Sequence, residues 1–227
     1  MKLLIDDADI DRIRQIYHYY PVDGVTTNPS ILAKYGKPPY EALAKIREFI
    51  GNRAELHVQV VSQTAEEMIK EGRRIEQLLG NNTYIKIPSI PEGLRAMQIL
   101  SGEGYHVTAT AIYTPMQAYL AAKAGAEYAA PYVNRIDNLG NDGITTTKKI
   151  HDIFTRNNLK TQLLAAGFKN SQQVQELCEY GVRSVTVASD VIENLIRNAN
   201  VTLAVNDFVA DFESLCGQGK TMLNCEE

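Results

Sequence analysis

Eight short apolar runs recur along the chain, several rich in β-branched residues and each closing on a polar or small cluster. They are Lys2–Asp6, Gly24–Thr26, Glu55–Val60, Thr83–Ile87, Tyr105–Thr110, Glu127–Tyr132, Gln162–Ala166 and Ser184–Ala188. Runs of this kind predict strands buried on both faces. The stretches between them place apolar residues at helical spacing. Thr64–Leu79 is the clearest, with Ala65, Met68, Ile69, Ile75 and Leu79 on one face and glutamates and arginines opposite. Pro91 sits in the first turn of the helix that carries Leu94, Met97 and Leu100, and Ser171 is the expected cap ahead of Val174 and Leu177.

The strand starts lie about 26 residues apart on average, and βα alternation repeated eight times predicts a closed parallel barrel with helices outside. The expected fold is therefore α/β, a (β/α)8 TIM barrel, with no linker or composition shift to divide residues 1–227 into two domains. An open doubly wound sheet competes, but it usually follows its first strand with a glycine-rich phosphate loop, and LIDDADI has no glycine. Val201–Leu215 follows the eighth unit as an extra C-terminal helix with seven apolar residues. That stripe either packs on its own barrel or docks on a neighbouring subunit.

Composition narrows the function classes. The chain has 227 residues, 44% of them hydrophobic and 22% charged, close to the globular norm. With 23 Lys plus Arg against 27 Asp plus Glu, the net charge of −4 offers no footprint for nucleic acid. No apolar run approaches the roughly 18 residues that span a bilayer, and the start MKLLIDDADIDRI has no signal-peptide core. Cys178, Cys216 and Cys225 are odd in number and late, which predicts free thiols in a reducing cytoplasm. The expected protein is soluble and cytoplasmic, with neither membrane nor nucleic acid as a partner.

A barrel gathers its chemistry at the C-terminal ends of its strands. Those ends carry Asp6, then Thr26, Thr27 and Asn28, then Gln59, Lys86, Thr110, Tyr132 with Asn134 and Arg135 beyond it, Gly167, and Ser189. Lys86 is the most unusual, flanked by Ile85 and Ile87 inside an apolar strand. A buried ammonium either sheds its proton or finds a partner, and the neutral amine attacks carbonyl carbon. A strand-end lysine also snorkels to solvent, so Lys86 alone leaves both readings open. Asp6, closing the first strand, suits either a general acid or base or a cap of the next helix, and Asp7 and Asp9 at hand to do the capping leave it freer for chemistry. Tyr132 and Arg135 suit either a proton donor and an anion clamp at the mouth or a plain surface loop. His18, His57, His106 and His151 are scattered without a ligand spacing such as HExxH, so they read as structural and no metal is expected. Gly140-Asn141-Asp142-Gly143 reads as a plain turn.

The segments IDDAD (5–9), GVTTNPSI (24–31), YIKIP (84–88), GAEYAAPYVNRID (125–137) and LLAAGFKN (163–170) resemble the small transaldolase family, and within it the fructose-6-phosphate aldolase branch. The resemblance covers nearly the whole chain. It implies a class I aldolase that cleaves fructose 6-phosphate or a similar ketose to dihydroxyacetone and an aldehyde, without a cofactor. It implies that Lys86 forms the Schiff base, that Asp6 binds substrate hydroxyls and takes part in proton transfer, that Thr110 orders a catalytic water, and that Asn28, with Thr26 beside it, holds the Schiff-base region and the dihydroxyacetone hydroxyls. Arg135 corresponds to the phosphate-binding arginine. Gln59 and Tyr132 stand where the transferring branch has glutamate and phenylalanine. Gly167 stands where a serine usually helps bind phosphate, and Asp7 where threonine is usual. Transaldolase activity and a silent sugar-binding barrel are the alternatives. The resemblance also implies a homo-oligomer, two pentamers forming a decamer, with the last helix reaching a neighbour.

Overall fold

The apolar runs become eight parallel strands that pair in chain order, and the eighth closes on the first. In the computed structural model, which describes residues 1–225, the chain runs β1 (Lys2–Asp6), α1 (Ile10–Tyr19), β2 (Gly24–Thr26), α2 (Pro29–Tyr35), α3 (Pro39–Ile50), β3 (Glu55–Gln59), α4 (Ala65–Leu79) and β4 (Thr83–Pro88). It continues α5 (Pro91–Gly102), β5 (Val107–Ile112), α6 (Pro115–Lys123), β6 (Tyr128–Pro131), α7 (Val133–Asp137), α8 (Gly143–Arg156), β7 (Gln162–Ala165), α9 (Ser171–Tyr180), β8 (Ser184–Val187), α10 (Ser189–Asn194) and α11 (Ala199–Cys216). Met1–Ile192 form one compact unit, the barrel, and the residues from Glu193 onward form a second. Among the described residues no helix is long and apolar enough to cross a membrane.

The barrel excludes water on both sides of its strands. Residues facing outward, such as Ile5, Val25, Ile85, Ile87 and Val185, are fully buried beneath the helices. Met68, Ile75 and Leu79 of α4 and Met97 and Leu100 of α5 supply part of the matching apolar faces. Inside the barrel, Leu4, Tyr84, Tyr128, Ala130 and Leu164 form an apolar plug. Toward the N-terminal end the plug turns polar. Lys2 pairs with Glu55, Tyr128 donates to Glu55 at 3.1 Å, and His57 lies 3.3 Å from Glu55 and 2.9 Å from the Thr108 hydroxyl. The His57 ring stacks on Tyr84 at 4.5 Å. Burial pulls the His57 pKa down to about 4, so the imidazole is neutral at pH 7.

Three local expectations are corrected. The cap of α9 is Asn170, whose side chain accepts from the Gln173 N–H, and Ser171 is the first helical residue. β5 begins two residues later than the apolar run because the Tyr105 N–H is drawn back to Leu100 at the end of α5. It also runs on past Thr110, through a register shift at Ala111, whose φ is +54°. Finally, Cys216 and Cys225 are joined as a disulfide, and Cys178 is the free thiol among the described residues. The turn after α11 brings the two Cα atoms to 6.0 Å, a distance a disulfide spans and sequence spacing does not reveal. That pair removes the cysteine argument for a reducing compartment.

α11 is capped by Asn198, whose side chain accepts from the Asn200 N–H. No residue of this helix is buried. Val201, Val205, Phe208, Phe212 and Leu215 follow one another at alternating steps of four and three, the spacing of a helix-packing seam. Phe208 is 69% exposed and Leu215 81%.

Candidate active site

Lys86 occupies β4 between two buried isoleucines and is itself only 4% exposed. Its Nζ donates to the Thr27 carbonyl at 2.6 Å. Burial lowers its pKa, and the nearby Asp6 charge opposes that shift without cancelling it. Asp6, at the end of β1, is shifted the other way. Burial raises its pKa, while Lys86 and the Thr26 hydroxyl hold it down and Asp7 adds to the rise. An amine pushed toward its neutral form and a carboxyl pushed toward its acid form thus face each other across the barrel end. This is the pairing expected of a nucleophile and a proton carrier.

Thr26 fixes the carboxylate. Its hydroxyl donates to Asp6 Oδ1 at 2.7 Å, so the 2.6 Å contact with Thr186 is one in which Thr186 donates. Gln59 lies directly beside Lys86 in the β3–β4 register, and Thr108 lies beside it in the β4–β5 register. The Gln59 Oε1 is buried and accepts no hydrogen bond from the described residues. Across the mouth, the shift at Ala111 carries Thr110 to Tyr132, and their hydroxyls meet at 2.9 Å. The Arg135 guanidinium lies 4.6 Å from the centre of the Tyr132 ring, and its hydrogen bond to Tyr113 raises its pKa further. Asn28 caps α2, its Oδ1 accepting from the Ile31 N–H at 3.0 Å.

A cavity of about 840 Å³ opens above these groups, with Asp6, Arg135 and Gly167 among its lining residues. Lys86, Thr26, Thr110, Gln59, Asn28 and Tyr132 do not line it. Gln59 instead borders a second, mostly apolar cavity of about 500 Å³ among α2, α3 and α4. Of the nine expected site residues, Asp6, Arg135 and Gly167 line the main cavity, and Asp6 interacts with Lys86 through charge and with Thr26 through a hydrogen bond. Gly167 has a φ of +72°, which glycine adopts without strain.

Sequence reading missed Thr186, Tyr113 and the carbonyl of Thr27. Thr186 sits mid-strand, where alternation makes it inward-facing but gives no hint of chemistry. Tyr113 stayed hidden because β5 was expected to end at Thr110. A backbone carbonyl leaves no mark in a sequence. The sequence offers Asp7 as a possible helix cap and as standing where threonine is usual; Asp9 is the cap of α1. Asp7 accepts from the Ala8 N–H at 2.8 Å, the Asp9 N–H at 3.1 Å and the Ser189 hydroxyl at 2.7 Å, and it too lines the main cavity.

A family model described as Transaldolase/Fructose-6-phosphate aldolase matches residues 3–223. A Streptococcus pneumoniae protein named probable fructose-6-phosphate aldolase is 39% identical over 213 residues, covering 93% of this chain and 96% of that one. A Hydrogenobaculum protein named probable transaldolase is 36% identical over 95% of this chain and 98% of its own. A Clostridium botulinum protein with the same name is 36% identical over 97% of this chain and all of its own length. Among solved structures, a mutant flavocytochrome b2 with pyruvate bound superposes with a TM-score of 0.60 at 10% identity, over 83% of this chain and 56% of that one, a likeness of fold alone. The chain belongs to the transaldolase/fructose-6-phosphate aldolase family of enzymes.

Proposed function

We propose that the protein is a class I aldolase that splits fructose 6-phosphate, or a similar ketose, into dihydroxyacetone and an aldehyde, and runs the reverse addition. The neutral amine of Lys86 attacks the ketone carbon, and loss of water gives a protonated imine. A base removes the proton of the C4 hydroxyl, the C3–C4 bond breaks, and its electron pair enters the imine as an enamine while the aldehyde leaves. The enamine takes a proton at carbon, and water hydrolyses the imine to release dihydroxyacetone and regenerate the lysine. Asp6, with its raised pKa, is the nearest carboxyl to Lys86 for these transfers, and the Tyr132–Thr110 pair with Gln59 orients the water. Asn28 and Thr26 hold the three-carbon end, and Arg135 holds a phosphate at the rim. The adduct supplies its own electron sink, so the reading needs no metal or organic cofactor.

One observation carries this reading: an almost fully buried lysine, pushed toward its neutral form, beside a carboxyl pushed toward its acid form. Dihydroxyacetone transfer to an aldose is the second reading, favoured by the relatives named probable transaldolase. The neutral Gln59 and the phenol of Tyr132 support release to water instead. A homo-oligomer, with a decamer the expected size, belongs to the same proposal and is supported by the exposed seam of α11. A cytoplasmic setting belongs to it too, supported by the sugar phosphate in the family's name. The deciding experiment is borohydride reduction in the presence of dihydroxyacetone, followed by peptide mass spectrometry. The expected result is one adduct on Lys86, and none, with no turnover, in Lys86→Met, which keeps the apolar volume filled. An unmodified Lys86, or a Lys86→Met protein with native turnover, would end the imine reading.

A further inference from the structure

The main cavity is lined by charges of both signs. Arg135 and Lys169 stand where β6 and β7 end, while Asp7, Asp9 and Asp190 stand where the adjoining strands β1 and β8 end. Arg12 on α1, which donates to Gln15, and Lys34 on α2 also line the cavity. Asp7 is distinctive within the acidic group because of what it occupies. Two successive backbone N–H groups, of Ala8 and Asp9, and the hydroxyl of the buried Ser189 all point at its carboxylate. Such a set of convergent donors beside a ligand cavity is suited to an anion. Here the protein fills it with its own side chain. The Asp7 carboxylate lines the cavity that a substrate would enter.

We propose that Asp7 is a specificity-determining residue that lowers the preference for a phosphorylated aldehyde over an uncharged hydroxyaldehyde. The inference rests on the aldolase reading and adds to it the class of acceptor. A phosphate dianion carries two charges into a space lined by Arg12, Lys34, Arg135 and Lys169, and the carboxylate of Asp7 opposes the pull of those cations. An uncharged hydroxyaldehyde meets Asp7 only as a hydrogen-bond acceptor. At the rim, Gly167 contributes no hydroxyl to offset the repulsion.

The test measures dihydroxyacetone addition to glyceraldehyde 3-phosphate and to glyceraldehyde, and takes the ratio of the two kcat/KM values. Asp7→Asn removes the charge and keeps an oxygen for the two N–H groups. The ratio is expected to rise about three- to tenfold, the scale of one charge acting on a dianion across a wet cavity, and the gain should shrink in high salt. Ser189→Ala removes a hydrogen bond to Asp7 but leaves its charge, so its ratio should stay within about twofold of native. An unmoved ratio in Asp7→Asn, or an equal rise in Ser189→Ala, would overturn the proposal. Borohydride trapping on the same proteins separates the two levels. An adduct on Lys86 with an unmoved ratio defeats the role of Asp7 alone, and no adduct in the native protein defeats the aldolase reading together with it.

Discussion

His57 shows what a buried titratable group does when it lies outside the reaction. It is fully enclosed, stacked on Tyr84, and held neutral with a pKa near 4. An unfolded chain protonates the same imidazole near pH 6.5. Between these values the unfolded state binds the extra proton, so stability falls as the pH drops through that window. The full shift corresponds to about 3 kcal/mol, most of it lost by pH 4.5. Urea unfolding at fixed protein concentration should therefore give a free energy that declines from pH 6.5 to 4.5, and His57→Phe should flatten the decline. Equal slopes in the two proteins would mean that the folded barrel protonates His57. Glu55, held down to about 2, acts only below this window. At this scale the sequence was partly legible. A lysine between isoleucines and a carboxylate closing an apolar strand both announce themselves, because burial of charge is costly wherever the strand lies inside. The Thr27 carbonyl and the engagement of Asp7 arise only when loops from distant strands converge. Gly167 belongs to the same category. The absent hydroxyl was visible, but the left-handed backbone that a serine would strain there, by about 1–2 kcal/mol, was not.

Among the elements, β5 has the most direct influence on the site. Its pairing with β6 jumps between Ala109 and Ile112, and Ala111 absorbs the jump at a φ of +54°. A bulge of this kind re-aims neighbouring side chains, and here it sets Thr110 against Tyr132. Alanine tolerates this backbone at a cost of about 1–2 kcal/mol, and a β-branched residue tolerates it less. Ala111→Val should lower the melting temperature by several degrees and reduce turnover, because relaxing the bulge shifts Thr110 away from Tyr132. Ala111→Gly should melt close to native and keep its activity. Equal melting and equal turnover in the two variants would show that the bulge is not strained. The strands themselves could be read in advance because both their faces are buried, which leaves long β-branched runs. The bulge could not, since TATAI is an ordinary strand pattern and the register shift is imposed by the partner β6. The α9 cap erred for a similar reason. Asn170 and Ser171 are both good caps, and only the path of the chain out of β7 decides between them.

At the scale of the whole molecule, the regular β-α alternation made the barrel legible, whereas α11 raised a question that its sequence left open. Val201, Val205, Phe208 and Leu215 of its apolar seam are all more than half exposed. Several side chains of this size, each contributing about 1.5–3 kcal/mol when removed from water, form a larger apolar surface than a solvated helix requires. The heptad-like steps of four and three match the geometry by which one helix seats against another element. Native protein should therefore sediment as a large homo-oligomer at micromolar concentration. Val205→Glu combined with Phe208→Glu places two charges on that seam without shortening the chain, and burial of unpaired charge is strongly unfavourable. The double variant should sediment as a smaller species with the circular dichroism of the native barrel. A native protein that is monomeric at micromolar concentration, or a double variant that keeps the native assembly, would mean that α11 is not the contact. The exposed apolar side chains would then call for a different partner.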